Sequence, residues 1–382
     1  MSTDLLTQEL FKPLLKKIVS EPSAFTAQDA TLAFEHLASG PTGASEAQVG
    51  SFLTALTLSG VDQRPDIVAA CAKVMRKYAV QVDIAGLHQE ETVVDIVGTG
   101  GDGHDTFNVS TSAGIVAAGA GAVVCKHGNR ASTSTSGSAD LLLSLSCPLT
   151  FPPGTLSQIL TPSSKFAFLF ASLYHPSLGQ LAPIRKTLPF RTIYNVLGPL
   201  VNPARPQGMV IGVHSYKLGM VFAQALKDLG MKRALVVCGK EGLDEISPAG
   251  ETWVWSLEND LITEQTLHPT TDFGLPTHPL STVRGGPSDQ NAVVLLALLS
   301  DSPAPPSVFS PSTASDSSSP SYDAIRDFIL INASATLVVA GKAQTFKQGV
   351  ELARKSMNEG GALKALDEFR KRAGLAVENA GL

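Results

Sequence analysis

The sequence predicts an α/β protein in two parts, a small all-helical N-terminal domain and a large domain whose central, mostly parallel sheet is flanked by helices. Three observations carry this. The first eighty residues show only helical spacing and helix-end signals. From residue 92 onward, short β-branched runs alternate with helical stretches, the βαβ signature of a parallel sheet. The 382 residues suffice for one large domain with a smaller partner.

Leu6, Leu10 and Leu14 step at helical spacing, and a second helix opens at Thr26 and closes at Gly40. Ser45, with Gln48 three residues on, forms a capping-box pattern, and Gly60 ends that helix. Pro65 suits the first position of a fourth helix running to Tyr78, because the N–H it lacks would have no helical partner there. Residues 92–97 then read as a buried strand, 112–119 as a small-residue helix and 122–125 as the next strand. Further strands are expected at 166–170, 209–213 and 234–237, and helices at 218–229 and 291–299. Residues 174–200 turn helical again and are expected to join the N-terminal helices. The domains therefore read as 1–84 with the excursion 174–200, and 85–173 with 201–382. Within the larger one, residues 300–322 hold ten Ser and five Pro, too little apolar surface to offset ordering entropy, and read as a disordered surface insert. Long amphipathic helices follow over 322–375, with Leu352, Leu363, Leu366 and Phe369 as core candidates.

Composition excludes several classes of function. The longest apolar run, 292–299, is eight residues, against the roughly 18 that a membrane span needs, so no membrane partner is expected. Asp4 and Glu9 near the start fit neither a secretory signal nor a transit peptide, and the chain reads as cytoplasmic. Cys71, Cys125, Cys147 and Cys238 lie far apart with no C-x-x-C pair, which removes zinc-ribbon and disulfide-scaffold readings. A net charge of -5 lacks the footprint of a nucleic-acid binder, so no nucleic-acid partner is expected.

The most informative segment is Gly98-Thr99-Gly100-Gly101-Asp102-Gly103, after an expected strand and before a helix. It matches G-x-G-x-x-G, but the acidic residue that a dinucleotide site needs about 20 positions on is missing. Between Asp105 and Asp140 there is no Asp or Glu, while Lys126, His127 and Arg130 fall there with many hydroxyls. An anion is the ligand this suggests, since glycines let backbone N–H groups close on phosphate oxygens and a helix N-terminus adds its positive end. Taken alone, Asn108 to Thr111 would be simple helix capping and Ser132 to Ser138 a flexible linker. Clustered with the glycine turn and the basic residues, they point to a phosphate cradle. Asp244 and Glu245, on a loop after a strand, would be solvated surface charge without that context, but hard oxygen ligands facing phosphate suit Mg²⁺. Arg185 reads either as a surface residue at a helix C-terminus or as a bidentate carboxylate ligand.

In order along the chain, GTGGDGHDTFNVSTSAG (98–114), KHGNRASTSTSGSADLL (126–142), YHPSLGQLAPIRKTLPFRTIYNVLGPLVNPA (174–204), DEIS (244–247) and RDFILINASATL (326–337) resemble the anthranilate phosphoribosyltransferase family. The resemblance covers most of the chain after residue 90, and the helical N-terminus agrees with that family's small domain. It implies transfer of a phosphoribosyl group from phosphoribosyl pyrophosphate to anthranilate, in tryptophan biosynthesis. It implies phosphoribosyl pyrophosphate contacts at Gly98, Gly101, Asp102, Thr106, Asn108, Val109, Ser110 and Thr111. The same substrate would touch the loop Lys126, His127, Gly128, Asn129, Arg130, Ala131, Ser132, Thr133 and Ser134, with Ser138 nearby. Mg²⁺ contacts are implied at Ser110, Asp244 and Glu245, and anthranilate contacts at Gly98, Asn129 and Arg185, with His175 and His127 lining the aromatic substrate's route. No covalent nucleophile is expected, and a homodimer through the N-terminal helices is implied. Thr135 stands where that family often has lysine, Pro189 replaces a common glycine, and 300–322 is an insertion.

Two other readings compete. A pyrimidine nucleoside phosphorylase of the same superfold would share the glycine turn and the Lys-His stretch, but Asn129-Arg130 and the block 191–203 favour the transferase. A non-catalytic, nucleic-acid-binding paralogue would show eroded metal residues, whereas Asp244 and Glu245 are intact.

Overall fold

The computed structural model describes residues 6–82, 84, 91–131, 135–305, 308 and 319–381. Helices α1 (Gln8–Ser20), α2 (Ala27–Ala38), α3 (Glu46–Ser59) and α4 (Pro65–Tyr78) form the N-terminal bundle. Their ends follow the local chemistry: Thr26 with Asp29, and Ser45 with Gln48, make reciprocal capping boxes, and Gly60 closes α3 in the left-handed region at φ 70°.

The remaining chain builds β1 (Val93–Gly98), α5 (Val109–Gly119), β2 (Val123–Gly128), α6 (Ser138–Ser144), α7 (Leu156–Ile159) and β3 (Phe166–Phe170). Then come α8 (Ala171–Tyr174), α9 (Pro176–Thr187), α10 (Tyr194–Leu197), β4 (Gly208–Gly212), α11 (Tyr216–Asp228) and β5 (Arg233–Gly239). A hairpin, β6 (Thr252–Glu258) and β7 (Leu261–Leu267), precedes α12 (Ser288–Leu299), α13 (Tyr322–Val339), α14 (Phe346–Asn358) and α15 (Gly361–Asn379). Among the described residues the strands form one sheet in the order β3-β2-β1-β4-β5-β6-β7, parallel from β3 to β5 and antiparallel at β6 and β7. The connections leave β1 towards β2 on one side and arrive at β4 on the other, so a crevice opens at the carboxyl ends of β1 and β4.

Strand alternation divides the core between the two faces of the sheet. Met209 and Ile211 on β4, with Val236 and Cys238 on β5, pack with the bundle, α10 and α11, while Val210, Leu235 and Val237 pack with α5, α13 and the C-terminal helices. The bundle thus shares a continuous apolar core with one face of the sheet.

Four details depart from the sequence reading. Helix α5 starts at Val109, three residues before the expected start, and β2 continues through Gly128. The β6–β7 hairpin was not anticipated; its turn, Asn259-Asp260, has both φ values positive (50° and 66°), the two-residue geometry that suits these residue types. Helix α13 is not amphipathic: Asp327 through Leu337 are all buried, because α13 lies between the sheet, α5 and α14. Much of the expected insert lies outside the described residues. Its described end at Tyr322 begins α13, where the Ser321 hydroxyl accepts from the Ala324 amide, and Val308 packs against the main core.

Candidate active site

A cavity of about 610 Å³ lies at the crevice between β1 and β4. Its floor exists because two strands end in glycine. Gly98 and Gly212 are register partners across β1 and β4, and a Cβ on either would run into Asp244. Asp244 therefore sits directly over the strand ends, and its Oδ2 accepts the Gly100 amide at 2.5 Å. The turn beyond uses positive φ at Gly100 (71°), Gly101 (76°) and Gly103 (77°), a region in which side chains are strained. Asp102 closes its own turn by accepting the His104 amide at 3.1 Å, and the Phe107 amide donates to the Val283 carbonyl at 2.9 Å, anchoring the loop that carries Thr106.

Asn108 does not cap α5. Its side chain donates to the Ser136 carbonyl at 2.8 Å and accepts from Ser136 Oγ and Asn291 Nδ2, both at 2.9 Å. Asn108 thus holds the hydroxyl-rich loop to α5 and α12, and α5 has no side-chain N-cap. Val109, Ser110 and Thr111 line the cavity at this end, and the buried Thr111 Oγ1 has no hydrogen-bond partner among the described residues. An uncapped helix start with an orphaned hydroxyl is a ready site for phosphate oxygens.

Lys126, His127 and Gly128 reach the wall as the last residues of β2, and Asn129, Arg130, Ala131 and Ser138 continue it. Lys126 is buried, and its Nζ donates to the Ile96 carbonyl; burial lowers its pKa, partly offset by Asp95 and Glu245. Arg130 pairs with Asp140 at 3.3 Å, and Asp140 also accepts the Ala131 and Gly137 amides, so one carboxylate shapes this loop. Ser132, Thr133 and Ser134, assigned to the phosphate-binding loop, lie outside the described residues. Burial first, then His175, brings His127 down to about 3, and burial brings His175 to about 4, so both rings are neutral. His175 does not line the cavity; it is buried behind His127, with ring centroids 5.1 Å apart.

Asp244 and Glu245 are buried rather than solvent-facing. Burial and then Asp102 push Asp244 up to about 7; burial and then Asp244 hold Glu245 well above the usual range, with Lys126 opposing. Gathered carboxylates that resist ionising are short of positive charge, which a divalent cation supplies. Among the described residues no three His, Cys, Asp or Glu form a metal cage, so the set fits an ion that completes its shell with water and phosphate oxygens.

Arg185 lies outside the cavity wall, over the Tyr194 ring at 4.9 Å, and burial lowers its pKa. Arg191 and Asn195 are among the wall residues that the sequence reading did not assign. Arg191 donates to the carbonyls of Gly100 (2.8 Å) and Gly101 (3.0 Å), and Asn195 accepts the Thr192 amide at 2.9 Å. Their signal was the Arg-Thr-x-x-Asn spacing leading into α10, read as family pattern rather than as chemistry.

A helical bundle sharing its core with an α/β sheet, and a crevice at the strand ends with a glycine turn and an uncapped helix start in its wall, define a glycosyl transferase architecture. Residues 12–79 match the family model described as glycosyl transferase family, helical bundle domain, and residues 90–363 match its a/b domain. An anthranilate phosphoribosyltransferase from Schizosaccharomyces pombe is 45% identical over 328 residues, 85% of this chain and 87% of that protein. One from Rubrobacter xylanophilus is 38% identical, covering 94% and 96%. Among solved structures, the Saccharomyces cerevisiae anthranilate phosphoribosyltransferase in complex with PRPP and Mg aligns with a TM-score of 0.83 at 31% identity, over 97% of this chain and 99% of that one. The Thermus thermophilus enzyme aligns with a TM-score of 0.81 at 34% identity, over 94% and 99%. The chain belongs to the anthranilate phosphoribosyltransferase family, and it is an enzyme of the pentosyltransferase class. These likenesses favour the transferase over the phosphorylase and nucleic-acid-binding readings.

Proposed function

We propose that the cavity performs this family's reaction with its walls divided between the two substrates. The chain transfers the phosphoribosyl group of 5-phosphoribosyl 1-pyrophosphate to the amine of anthranilate, giving N-(5-phosphoribosyl)anthranilate and pyrophosphate. The observation that carries the assignment of sites is the meeting, in one cavity, of the uncapped α5 N-terminus with the Asp244 and Glu245 carboxylates. One side suits phosphate oxygens, and the other the cation that accompanies them.

In this reading the glycine turn, Asn108 to Thr111 and the 126–138 loop hold the donor, and Lys126 adds positive charge from the floor. Asp244 and Glu245, with Ser110, would hold Mg²⁺, which when bound neutralises the pyrophosphate leaving group. The bond from the ribose anomeric carbon to pyrophosphate oxygen breaks, its electron pair leaving with pyrophosphate, and a bond to the anthranilate nitrogen forms. The nitrogen then releases one proton to water. With so good a leaving group, the residues' task is charge neutralisation and alignment, and no side chain serves as a covalent nucleophile. Arg185, which donates to no carboxylate among the described residues, takes the anthranilate carboxylate as its segment moves towards Asn129. His127, neutral, presents its ring beside that route, with the buried His175 packed behind it.

A homodimer through the N-terminal helices belongs to the same reading, supported by the exposure of Leu10 (54%) and Val19 (65%) on α1, Leu32 (41%) on α2 and Leu58 (83%) on α3. The deciding experiment follows anthranilate fluorescence with the purified protein, with and without phosphoribosyl pyrophosphate and Mg²⁺. Consumption should require both; turnover of anthranilate without the donor, or none with both present, would overturn the reading.

A further inference from the structure

A second cleft, of about 380 Å³, opens at the opposite end of the strands from the reaction site, where β4 and β5 begin. Lys73 and Arg76 reach it from α4, Arg205 and Gln207 from the chain entering β4, and Met231 and Lys232 from the chain entering β5. Among the described residues no Asp or Glu lines it. It lies on the seam between the helical bundle and the α/β part.

The cations here are poorly neutralised. Arg76 donates through Nε to the Leu200 carbonyl at 2.7 Å, and Arg205 donates to the Gln81 side-chain oxygen at 2.9 Å, both neutral acceptors. Burial, with the repulsion of Arg205 second, brings Arg76 down to about 10, as expected of a guanidinium withdrawn from water without a carboxylate. Lys73 makes no hydrogen bond or ion pair among the described residues. Lys232 meets Asp260 at 3.5 Å, where both are exposed and the pair is weak. A plainer reading is that these cations serve the C-terminal ends of α4 and α11. Each helix end supplies only about half a negative charge. Among the described residues, two such ends and Asp260 against four cations leave roughly two positive charges unbalanced, the complement of a phosphate dianion.

We propose that this cleft binds the phosphate group of a small molecule, at a site separate from the reaction cavity, with the phosphate bridging Lys73 and Arg76 on α4 to Arg205. Two guanidinium groups and an ammonium line one cleft from two elements, α4 and the chain entering β4, which suits the several oxygens of one phosphate. Because α4 belongs to the bundle and Arg205 to the chain entering the sheet, the bound anion ties the two parts together. It therefore stabilises their packed arrangement by mass action.

Calorimetry with inorganic phosphate and, separately, glycerol 3-phosphate tests this on the wild type and the double variant Lys73→Gln/Arg205→Gln. Both proteins keep the reaction cavity, so any phosphate bound there is common to both. The wild type should bind one more phosphate per chain than the variant, or bind it about tenfold or more tightly, a difference of about 1.4 kcal/mol. Turnover in phosphate-free buffer should be equal in the two, which also shows that the variant is folded. Binding of both probes assigns the site to phosphate esters, and binding of inorganic phosphate alone assigns it to the free ion. Equal stoichiometry and affinity for wild type and variant overturns the site, while the transferase reading stands or falls on the fluorescence assay alone. Should the double variant be inactive, Arg205→Lys, which keeps the charge, must retain the extra phosphate; its loss there with intact folding also rejects the assignment of charge.

Discussion

Arg191 Nη1 donates to the Gly101 carbonyl at 3.0 Å, so a side chain from the segment between α9 and α10 rests on the backbone of the glycine turn after β1. A Cβ on Gly101 would meet that guanidinium, and Gly101 has φ 76°. Gly101→Ala should therefore shift the turn and Arg191 together, at a backbone cost of about 1–2 kcal/mol. The KM for phosphoribosyl pyrophosphate should rise about tenfold or more, with a melting temperature only a few degrees lower. Steady-state kinetics with an unchanged donor KM would separate the turn from donor binding.

The buried carboxylates make a pH prediction. Asp244 has its folded pKa raised to about 7, from 3.8. As pH rises between those values, the unfolded chain loses its proton while the folded chain keeps it, so this group's contribution to stability falls and the full penalty stands above pH 7. Without Mg²⁺, Asp244→Asn should flatten that fall and raise the melting temperature at about pH 8 relative to wild type, while turnover is severely reduced. Parallel melting curves against pH for the two proteins would reject the assigned charge state.

Metal dependence follows from the same pair. The variant Asp244→Asn/Glu245→Gln should fold and lose the Mg²⁺ response of turnover, because hard anionic ligands are gone. A wild-type Mg²⁺ titration curve in this variant would sink the metal assignment.

Arg185 over Tyr194 offers a planar cation stacked on a ring at 4.9 Å. Arg185→Lys keeps the charge but loses the fork and most of the stacking, worth about 0.5–2 kcal/mol. Anthranilate KM should rise several-fold while donor KM changes little. Equal changes in both would mark Arg185 as a support of α9 rather than a substrate ligand.

The Ser/Pro region carries a contrast within itself. The Tyr322 hydroxyl donates to the Ser302 carbonyl at 2.7 Å, fastening the two flanks. Replacing residues 309–318 by a short Gly/Ser link should leave activity and melting temperature nearly unchanged, since loop-closure entropy varies slowly with length. Val308→Ser should lower the melting temperature measurably, because Val308 packs on the core. A large loss from the deletion itself would show that the removed stretch packs elsewhere.

The sequence by itself determined what local chemistry can specify. The helix start at Thr26, the capping box at Ser45, Gly60 and Pro65 bound their helices as read, because a cap is settled within a few residues of chain. The glycine turn, the Lys126 loop and the Asp244-Glu245 pair were legible for the same reason, as each motif is contiguous. Only the tertiary structure decided what depends on residues far apart in the chain. The burial of Asp244 and Glu245 arises where a loop after β5 folds over the ends of β1 and β4, and no property of the tetrapeptide announces it. Arg191 reaches the glycine turn across 90 residues of sequence, and His175 lies behind His127 rather than in the wall. The unbroken burial of α13 from Asp327 to Leu337 came from its place between sheet and helices, which an amphipathic reading of its own residues could not supply. Spacing fixes which groups are available; packing fixes which of them lose water, and that loss sets their charge and their chemistry.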